Sequence, residues 1–199
     1  MIITTIERQK KSDKRFNIYI DNEYAFSVSI YEIIEFDLKE GKEINDEQYK
    51  YYVNYILEKS AYKEALKYLS YSMRTEKELI DKLRSKDYNE SAINNVLLKL
   101  RELNYINDAY YTELYIQEKK DKLYSKYRIY NELIRKGIES TLIKKKLEDL
   151  YVDEIGTIKK IINKKFKNNN DIIKIKNYLY RSGFKIDDIN KVLTDEEVN

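Results

Sequence analysis

Apolar residues recur at helical spacing in three successive segments of the chain, and all three segments share one register. The first covers residues 75–100 and places apolar positions on both sides of a short polar turn. Shifting it by 50 residues, and then by a further 46, superimposes these positions on two later segments. The matched positions are Leu79, Ile129 and Ile175; Leu83, Leu133 and Leu179; Ile93, Ile143 and Ile189; and Leu97, Leu147 and Leu193. The spacing predicts two helices joined by a tight turn, present three times.

Residues that begin helices hold one position in the shared register. Thr75, Ser125 and Asp171 stand just before the matched apolar positions. Their side chains can cap a helix because they accept a hydrogen bond from a free backbone N–H. Thr75 and Glu78 also have the spacing of a capping box, in which the carboxylate reaches back to the N–H of the cap residue. We therefore expect a helix to begin after each of the three.

The turn between the two matched helices also has a shared feature. Gly137 and Gly183 stand where the first helix ends and a residue with positive φ is needed, which glycine supplies without a Cβ clash. Asp87 stands at the same place in the first segment, and aspartate adopts this conformation at some energetic cost. The sequence therefore predicts a left-handed residue at each turn.

A further helix precedes each matched pair, so each repeat is predicted to hold three helices. Repeats of this length are typical of stacked helical units that bury their apolar faces against their neighbours. The predicted fold is mainly α, an elongated right- or left-handed array of tandem three-helix repeats after a small antiparallel β N-terminal region. The predicted divisions are 1–58 for the N-terminal sheet and helices, 59–107 for the first repeat, 108–152 for the second and 153–199 for the third.

The first 29 residues alternate between apolar and polar positions, as half-buried strands do. The alternating sets are Ile2, Thr4 and Ile6; Phe16, Ile18 and Ile20; and Tyr24, Phe26 and Val28. The pair Asp21-Asn22 suits a tight turn between the last two sets. Ser29 is expected to cap a short helix that ends at Phe36, and Asn45 or Asp46 is expected to begin a helix that continues into the first repeat.

The composition removes several kinds of chemistry. The chain has no histidine and no cysteine, which excludes imidazole bases, triads that need one, thiolate nucleophiles and zinc–thiolate sites. Its four glycines are scattered singly, whereas phosphate-cradling loops need clustered glycines. No apolar run of about 18 residues is present. We expect a cytoplasmic protein that uses no cofactor and binds no membrane.

Charge is distributed unevenly along the chain. Residues 119–185 hold 19 Lys and Arg against 8 Asp and Glu, a net charge of +11, although the whole chain carries only +3. A local field of this kind favours an anionic partner, either nucleic acid or an acidic protein surface. Single lysines in this segment are equally well explained as solvated helix faces. We call residues 119–185 the basic segment.

The 21 tyrosines allow two interpretations. Tyr124, Tyr127 and Tyr130 lie beside Lys126 and Arg128, a combination that could stack single-stranded nucleic acid. Tyrosine at helical spacing is more often a core ring with its hydroxyl at the edge, and we favour that interpretation. A helix-turn-helix DNA reader is a further possibility, but three tandem copies suit an extended contact surface better than one recognition helix.

Several ordered motifs run through the chain. They are Ala25-Phe26-Ser27-Val28, Ala65-Leu66-Lys67-Tyr68-Leu69-Ser70-Tyr71, Arg74-Thr75-Glu76-Lys77-Glu78-Leu79 and Leu103-Asn104-Tyr105-Ile106-Asn107-Asp108, followed in the second repeat by Arg128-Ile129, Glu132-Leu133 and Lys136-Gly137-Ile138. Together they resemble the RecX family, the modulators of the RecA recombinase. Each motif is weak alone, but their order is fairly specific, and the resemblance covers nearly the whole chain.

The resemblance implies a non-enzymatic, mainly negative regulator that binds along the groove of a RecA–DNA filament. It would limit filament extension, ATPase and strand exchange, and so act in homologous recombination, DNA repair and the SOS response. The implied partners are the RecA filament and single- and double-stranded DNA, the DNA bound more weakly or only with the filament, and we expect a monomer. On charge alone, the contact residues are predicted to be Arg74, Lys126, Arg128, Arg135, Lys136, Lys144, Lys145 and Arg181.

Two other classes of function stay open. A general nucleic-acid-binding helical repeat protein would bind without RecA and with a steep dependence on salt. A helical scaffold for another protein would depend on neither RecA nor DNA.

Overall fold

The computed structural model describes residues 1–9, 14–167 and 171–196, and in these ranges the chain forms three strands followed by ten helices. The strands are β1 (Ile3–Arg8), β2 (Arg15–Ile20) and β3 (Glu23–Ser29). The helices are α1 (Ile30–Glu35), α2 (Asp46–Leu69), α3 (Glu76–Arg84), α4 (Glu90–Glu102), α5 (Asp108–Asp121), α6 (Lys126–Arg135), α7 (Ser140–Leu150), α8 (Glu154–Lys165), α9 (Ile172–Arg181) and α10 (Ile186–Glu196). The predicted mainly helical fold behind a small antiparallel sheet is confirmed. Among the described residues, none of the helices combines the length and hydropathy that a bilayer crossing needs.

The N-terminal sheet is antiparallel, with strand order β1-β2-β3. Ile18 in the central strand pairs with Ile6 on one side and Phe26 on the other, so the apolar positions of the three strands meet on one face. Asp21 and Asn22 both have positive φ, at 49° and 69°, which is the geometry of the tight hairpin turn predicted from this pair. The buried side of the sheet contributes to an apolar core together with residues of α2.

The helices after the sheet begin where their cap residues predict. Ser29 caps α1 with a capping box completed by Glu32. Asn45 Oδ1 accepts a hydrogen bond from the backbone N–H of Gln48 at 2.8 Å, and α2 then runs without a break from Asp46 to Leu69. The helix that begins after Asn45 and the first helix of the first repeat are therefore one helix.

The chain divides into two compact parts. One part consists of residues 1–67 and 83–98, and it contains the sheet with its core. The other consists of residues 68–82 together with the chain from residue 99 onward, and it contains α5 to α10.

The repeated apolar pattern corresponds to buried side chains throughout. All twelve matched positions are buried, and the most accessible of them is 8% exposed. Helices α5, α6 and α7 share one apolar core, and α8, α9 and α10 share another. We call these groups the second and the third repeat. Ser125 and Asp171 cap their helices as predicted, and Gly137 and Gly183 have φ of 86° and 87°.

A buried hydroxyl at the start of a helix bonds each repeat to the next one. Thr75 Oγ1 donates to the backbone carbonyl of Lys136 at 2.7 Å, and Ser125 Oγ donates to the carbonyl of Ser182 at 2.7 Å. Each hydroxyl also accepts a hydrogen bond from a backbone N–H in the first turn of its own helix. Because donors and acceptors hold equivalent positions in the shared register, the second contact is a copy of the first.

A carboxylate from the following repeat adds another bond at the same place. The backbone N–H of Glu76 donates to Asp108 Oδ1 at 2.9 Å, and that of Lys126 donates to Glu154 Oε1 at 2.8 Å. N–H groups in the first turn of a helix have no partner within the helix, so a carboxylate satisfies them and is stabilised by the helix dipole. We call the hydroxyl and carboxylate bonds together the inter-repeat contact.

The turn glycines have a second role in the inter-repeat contact. A Cβ at position 137 would lie 2.4 Å from the Cβ of Lys77, and one at position 183 would lie 2.8 Å from Ser125 Oγ. Both distances are too short for real atoms. Glycine is therefore required at each turn for its positive φ and also for the close approach of the preceding repeat.

The close approach predicts a larger loss of stability for Gly137→Ala than for Gly41→Ala. Both glycines have positive φ, at 86° and 82°, but no atom lies within 4 Å of a Cβ placed at position 41. Gly41→Ala should lower the free energy of unfolding by about 1–2 kcal/mol through backbone strain. Gly137→Ala should lose a further 1–3 kcal/mol, roughly, through overpacking. Guanidinium denaturation followed by circular dichroism measures both, and equal losses would contradict the assigned role of the close approach.

The burial of Glu154 predicts that the stability of the fold depends on pH. Its side chain is 9% exposed, and burial raises the pKa of its carboxyl although the N–H of Lys126 partly opposes this. A carboxyl with a raised pKa in the folded state favours folding more as the pH falls through that pKa. Glu154→Gln keeps an oxygen acceptor but cannot titrate. The stability of the parent relative to this variant should therefore increase as the pH falls from neutral through the raised pKa toward the ordinary glutamate pKa of about 4.3. A difference that stays constant across a denaturation series in this range would exclude the effect.

Candidate functional site

One face of α9 carries polar and basic side chains above a buried apolar face. Lys174, Tyr178 and Arg181 recur at spacings of four and three residues, which places them on the same side of the helix. Ile175 and Leu179 point into the core of the third repeat. The sequence thus holds the helix in place through its apolar side and directs the cations away from the core.

These side chains line an open cleft between the second and third repeats. The cleft has a volume of about 830 Å³ and is bounded by Arg128 on α6, by Phe166 at the end of α8 and by the polar face of α9. A narrower region of about 190 Å³ continues toward Tyr124 and Lys164. The two regions share Arg128, Tyr178 and Ser182, so we treat them as one feature and call it the basic cleft.

Cations far outnumber acids in the basic cleft. Among the described residues that line it, the one carboxylate is that of Asp171, whose Oδ1 accepts from the N–H of Lys174 as the cap of α9. Within the described part of the chain, the side chains of Lys164, Lys174 and Arg181 have no hydrogen-bond or ion-pair partner. The lining cations are Lys122, Arg128, Lys164, Lys165, Lys174 and Arg181. The arrangement produces a positive potential that would attract an anion.

Aromatic rings hold two of these cations in place. The Arg128 guanidinium lies 3.6 Å from the ring centroid of Tyr124, and its Nε donates to Glu132 at 3.1 Å. Lys165 Nζ lies 4.7 Å from the ring centroid of Tyr178. Phe166 meets the Tyr178 ring edge-on at 5.4 Å. The cleft therefore combines cations with an aromatic wall, and its Arg128 is held in a fixed orientation.

Two of the residues predicted as partner contacts lie together in the basic cleft. Arg128 and Arg181 both line its wider region. Lys136 instead takes part in packing between repeats, since its Nζ lies 2.6 Å from Glu78 Oε1 and 5.5 Å from the ring centroid of Tyr111. Lys136 therefore belongs to a structural ion pair, and it also stays a predicted partner contact.

The other predicted contacts lie outside the cleft. Lys144 and Lys145 are exposed on α7, and Arg135 is exposed at the end of α6, where its Nε donates to the carbonyl of Asn131. Lys126 is half-buried, with Nζ 5.6 Å from the ring centroid of Tyr151. The last of the set, Arg74, stacks its guanidinium over the ring of Tyr68 at 4.6 Å, and its Nε is buried with no hydrogen-bond partner among the described atoms.

Of the three tyrosines near Arg128, two are core rings and one is exposed enough to stack against a ligand. Tyr124 and Tyr130 pack against the core of the second repeat, as expected of structural rings. Tyr127 is 67% exposed.

Sequence reasoning did not select Lys164, Lys165, Lys174 or Tyr178. Lys164 and Lys165 stand at the end of α8, where cations ordinarily complement the helix dipole. Lys174 had a detectable signal, because it shares one helix face with Arg181. No comparable signal in the sequence indicates that α8 and α9 meet Arg128. Among the described residues, no three acidic side chains come together in a way that could hold a metal ion.

The fold and the cleft define a helical repeat protein with an N-terminal sheet and a cationic surface between its last two repeats. Family models agree with this class along most of the chain. The regulatory protein RecX N-terminal domain matches residues 1–45, the first three-helix domain of RecX matches 61–100, and the second three-helix domain matches 107–147.

Relatives and solved structures extend the match. A regulatory protein RecX from Caldanaerobacter subterraneus subsp. tengcongensis is 44% identical over 195 residues, covering 97% of this chain and 98% of its own. That of Clostridium acetobutylicum is 36% identical, with coverage of 97% and 95%. A crystal structure of regulatory protein RecX superimposes with a TM-score of 0.69 at 29% identity over 98% of both chains, and RecX from Lactobacillus salivarius with 0.63 at 32% over 72% and 98%. The chain belongs to the RecX family.

Because Lys136 forms an ion pair, its substitution should destabilise the fold more than substitution of an exposed lysine. Glu78 and Lys136 have side chains 23% and 28% exposed. Burial raises the pKa of Glu78, but Lys136 and the N–H of Thr75 lower it by more, so its pKa is below the usual value. Lys136→Gln should lower the free energy of unfolding by roughly 1–3 kcal/mol near neutral pH. The loss should shrink as the pH falls through the lowered pKa of Glu78.

Lys144→Gln is the matched control for this measurement, because Lys144 is exposed on α7. Its change in unfolding free energy should stay within about 0.5 kcal/mol. Equal effects of the two substitutions in urea denaturation would argue against a structural role for Lys136.

Proposed function

We propose that the protein is a non-enzymatic, mainly negative regulator of the RecA recombinase. In this proposal it binds along the groove of a RecA–DNA filament and limits filament extension, ATP hydrolysis and strand exchange. The observation that carries the proposal is membership of the RecX family along nearly the whole chain, with relatives named as regulatory proteins. The setting is the bacterial cytoplasm, in recombination, DNA repair and the SOS response.

The repetition of the inter-repeat contact supports a partner that is itself repetitive. Equivalent bonds from Thr75 and Ser125 hold successive repeats in one register, so equivalent surface positions recur from one repeat to the next. A filament presents identical subunits at regular intervals. A protein with recurring surface positions can therefore contact successive subunits in similar ways.

The basic segment supports an anionic component in the contact surface. DNA and acidic patches of RecA are both compatible with it. The exposed members of the predicted set are the best contacts in the proposal, and Arg74, Lys126 and Lys136 are less accessible. The exposed members are Arg128, Arg135, Lys144, Lys145 and Arg181.

The basic cleft favours one alternative function. A general nucleic-acid-binding repeat protein would use the same cations without RecA, and its affinity would fall steeply with salt. The alternative differs from the proposal in a single respect that can be measured, namely whether RecA activity responds to the protein. A scaffold for an unrelated protein would neither bind nucleic acid nor change RecA activity.

The proposal predicts that substoichiometric protein lowers the single-strand-DNA-dependent ATPase of the cognate RecA at fixed salt. Reversing the charges at Arg135, Lys144 and Lys145 to Glu should raise the half-inhibitory concentration about tenfold or more, because each contact between opposite charges contributes up to about 1 kcal/mol. These side chains are exposed and take no part in the inter-repeat contact.

The control carries the same charge change outside the basic segment. Lys50, Lys63 and Lys86 are exposed, and their replacement by Glu should leave inhibition within about twofold. An unchanged ATPase in the presence of the parent protein, with DNA binding verified, would refute the proposal and favour the general nucleic-acid-binding alternative.

A further inference from the structure

The basic cleft is lined by apolar and amide groups in addition to the cations that would bind a phosphate. Its wider region is lined by Phe166, Tyr178 and Ile173 as well as by cations, and Ile173 is 74% exposed. Asn177 adds an amide that can both donate and accept hydrogen bonds. A site built for phosphate alone would need only the charges, so the apolar and amide groups indicate a second ligand moiety.

A nucleobase matches that second moiety. Bases stack on aromatic side chains and guanidinium planes, and amide side chains bond their edges. Arg128 is suited to this chemistry because Tyr124 and Glu132 fix its guanidinium, while its terminal nitrogens have no hydrogen-bond partner in the described chain. The volume of about 830 Å³ lies within the usual 300–1,000 Å³, roughly, of small-ligand sites, enough for a base with its sugar and flanking phosphates.

The same features disfavour a paired duplex. Entry of a base into a pocket requires that the base leave its stack, which costs a duplex a few kcal/mol and costs a single strand much less. Lys164 lines the narrower region of the cleft, and Lys174 and Arg181 line the wider one, so the phosphates of one strand that passes through both regions could reach these cations. An acidic peptide would use these charges but would gain little from the aromatic wall.

We propose that the basic cleft is a binding site for single-stranded nucleic acid, with an unpaired base against Phe166 and Tyr178 and the adjoining phosphates on Lys174, Arg181 and Lys164. The inference deepens the proposed function and rests on it for its setting, a filament assembled on single-stranded DNA. The site itself requires no RecA, so it is tested in the absence of RecA.

The test is fluorescence anisotropy of labelled oligothymidylate with the full chain and two triple variants. Lys164→Gln, Lys174→Gln and Arg181→Gln together should weaken binding at least about tenfold and reduce the slope of log affinity against log salt by about 2. The matched control is Lys159→Gln, Lys160→Gln and Lys191→Gln, which removes three exposed lysines that do not line the cleft. It should change affinity by no more than about twofold.

A second arm varies the ligand, so that it does not depend on the folding of any variant. An abasic oligonucleotide of equal length keeps the phosphates and lacks the bases, and it should bind the parent protein at least about fivefold more weakly, because stacking contributes about 1–3 kcal/mol per base. A hairpin duplex should also bind more weakly than the single strand. Polyglutamate should compete poorly.

Each contrary outcome overturns the inference in a different way. Equal losses of affinity in the two triple variants would show a diffuse basic surface. Equal binding of abasic and intact DNA would leave only a phosphate site. Strong competition by polyglutamate would indicate that the ligand is an acidic protein segment. Preference for the duplex would exclude the single-strand assignment. Since RecA is absent, these outcomes are independent of whether the protein regulates RecA.

Discussion

The hydroxyl groups of Thr75 and Ser125 fix how one repeat meets the next. Each accepts a hydrogen bond from its own helix and donates to a backbone carbonyl at the end of a helix in the following repeat. The bond partners of Ser125 are Arg128 and Ser182, and both residues line the basic cleft. The two sides of the cleft are therefore held by one buried oxygen, so the position of the candidate site follows from the packing of the repeats.

The start of the third matched helix has a carboxylate in place of the hydroxyl. Asp171 stands there in the position of the two hydroxyls, and it caps α9 by accepting from the N–H of Lys174. An ionised carboxylate accepts hydrogen bonds but has no proton to donate to a further carbonyl. The chemistry that joins the repeats is thus specific to Thr and Ser, although all three residues are equally good helix caps.

Much of the fold could be predicted because it depends on local backbone physics. Caps, positive-φ turns and apolar spacing each act over a few residues, and Ser125, Gly137 and Gly183 behave as predicted. Leu123 does not follow such a rule, since a leucine has φ of 60° there without a sequence signal. The surroundings of the predicted contact residues were less predictable, because Lys136 pairs with Glu78, which lies 58 positions away in the chain. Charge indicated Arg128 and Arg181, but only packing between helices could add Lys164.

The two inter-repeat contacts differ in one pair of side chains. In the first contact, Lys136 forms an ion pair with Glu78, with 2.6 Å between Nζ and Oε1. The equivalent residues in the second contact are Ser182 and Arg128, which cannot form that pair. Arg128 bonds within its own helix instead, to Glu132, and lines the basic cleft together with Ser182. A repeated backbone contact with one exchanged pair of side chains therefore gives an ion pair at the first junction, whereas Arg128 and Ser182 line the basic cleft at the second.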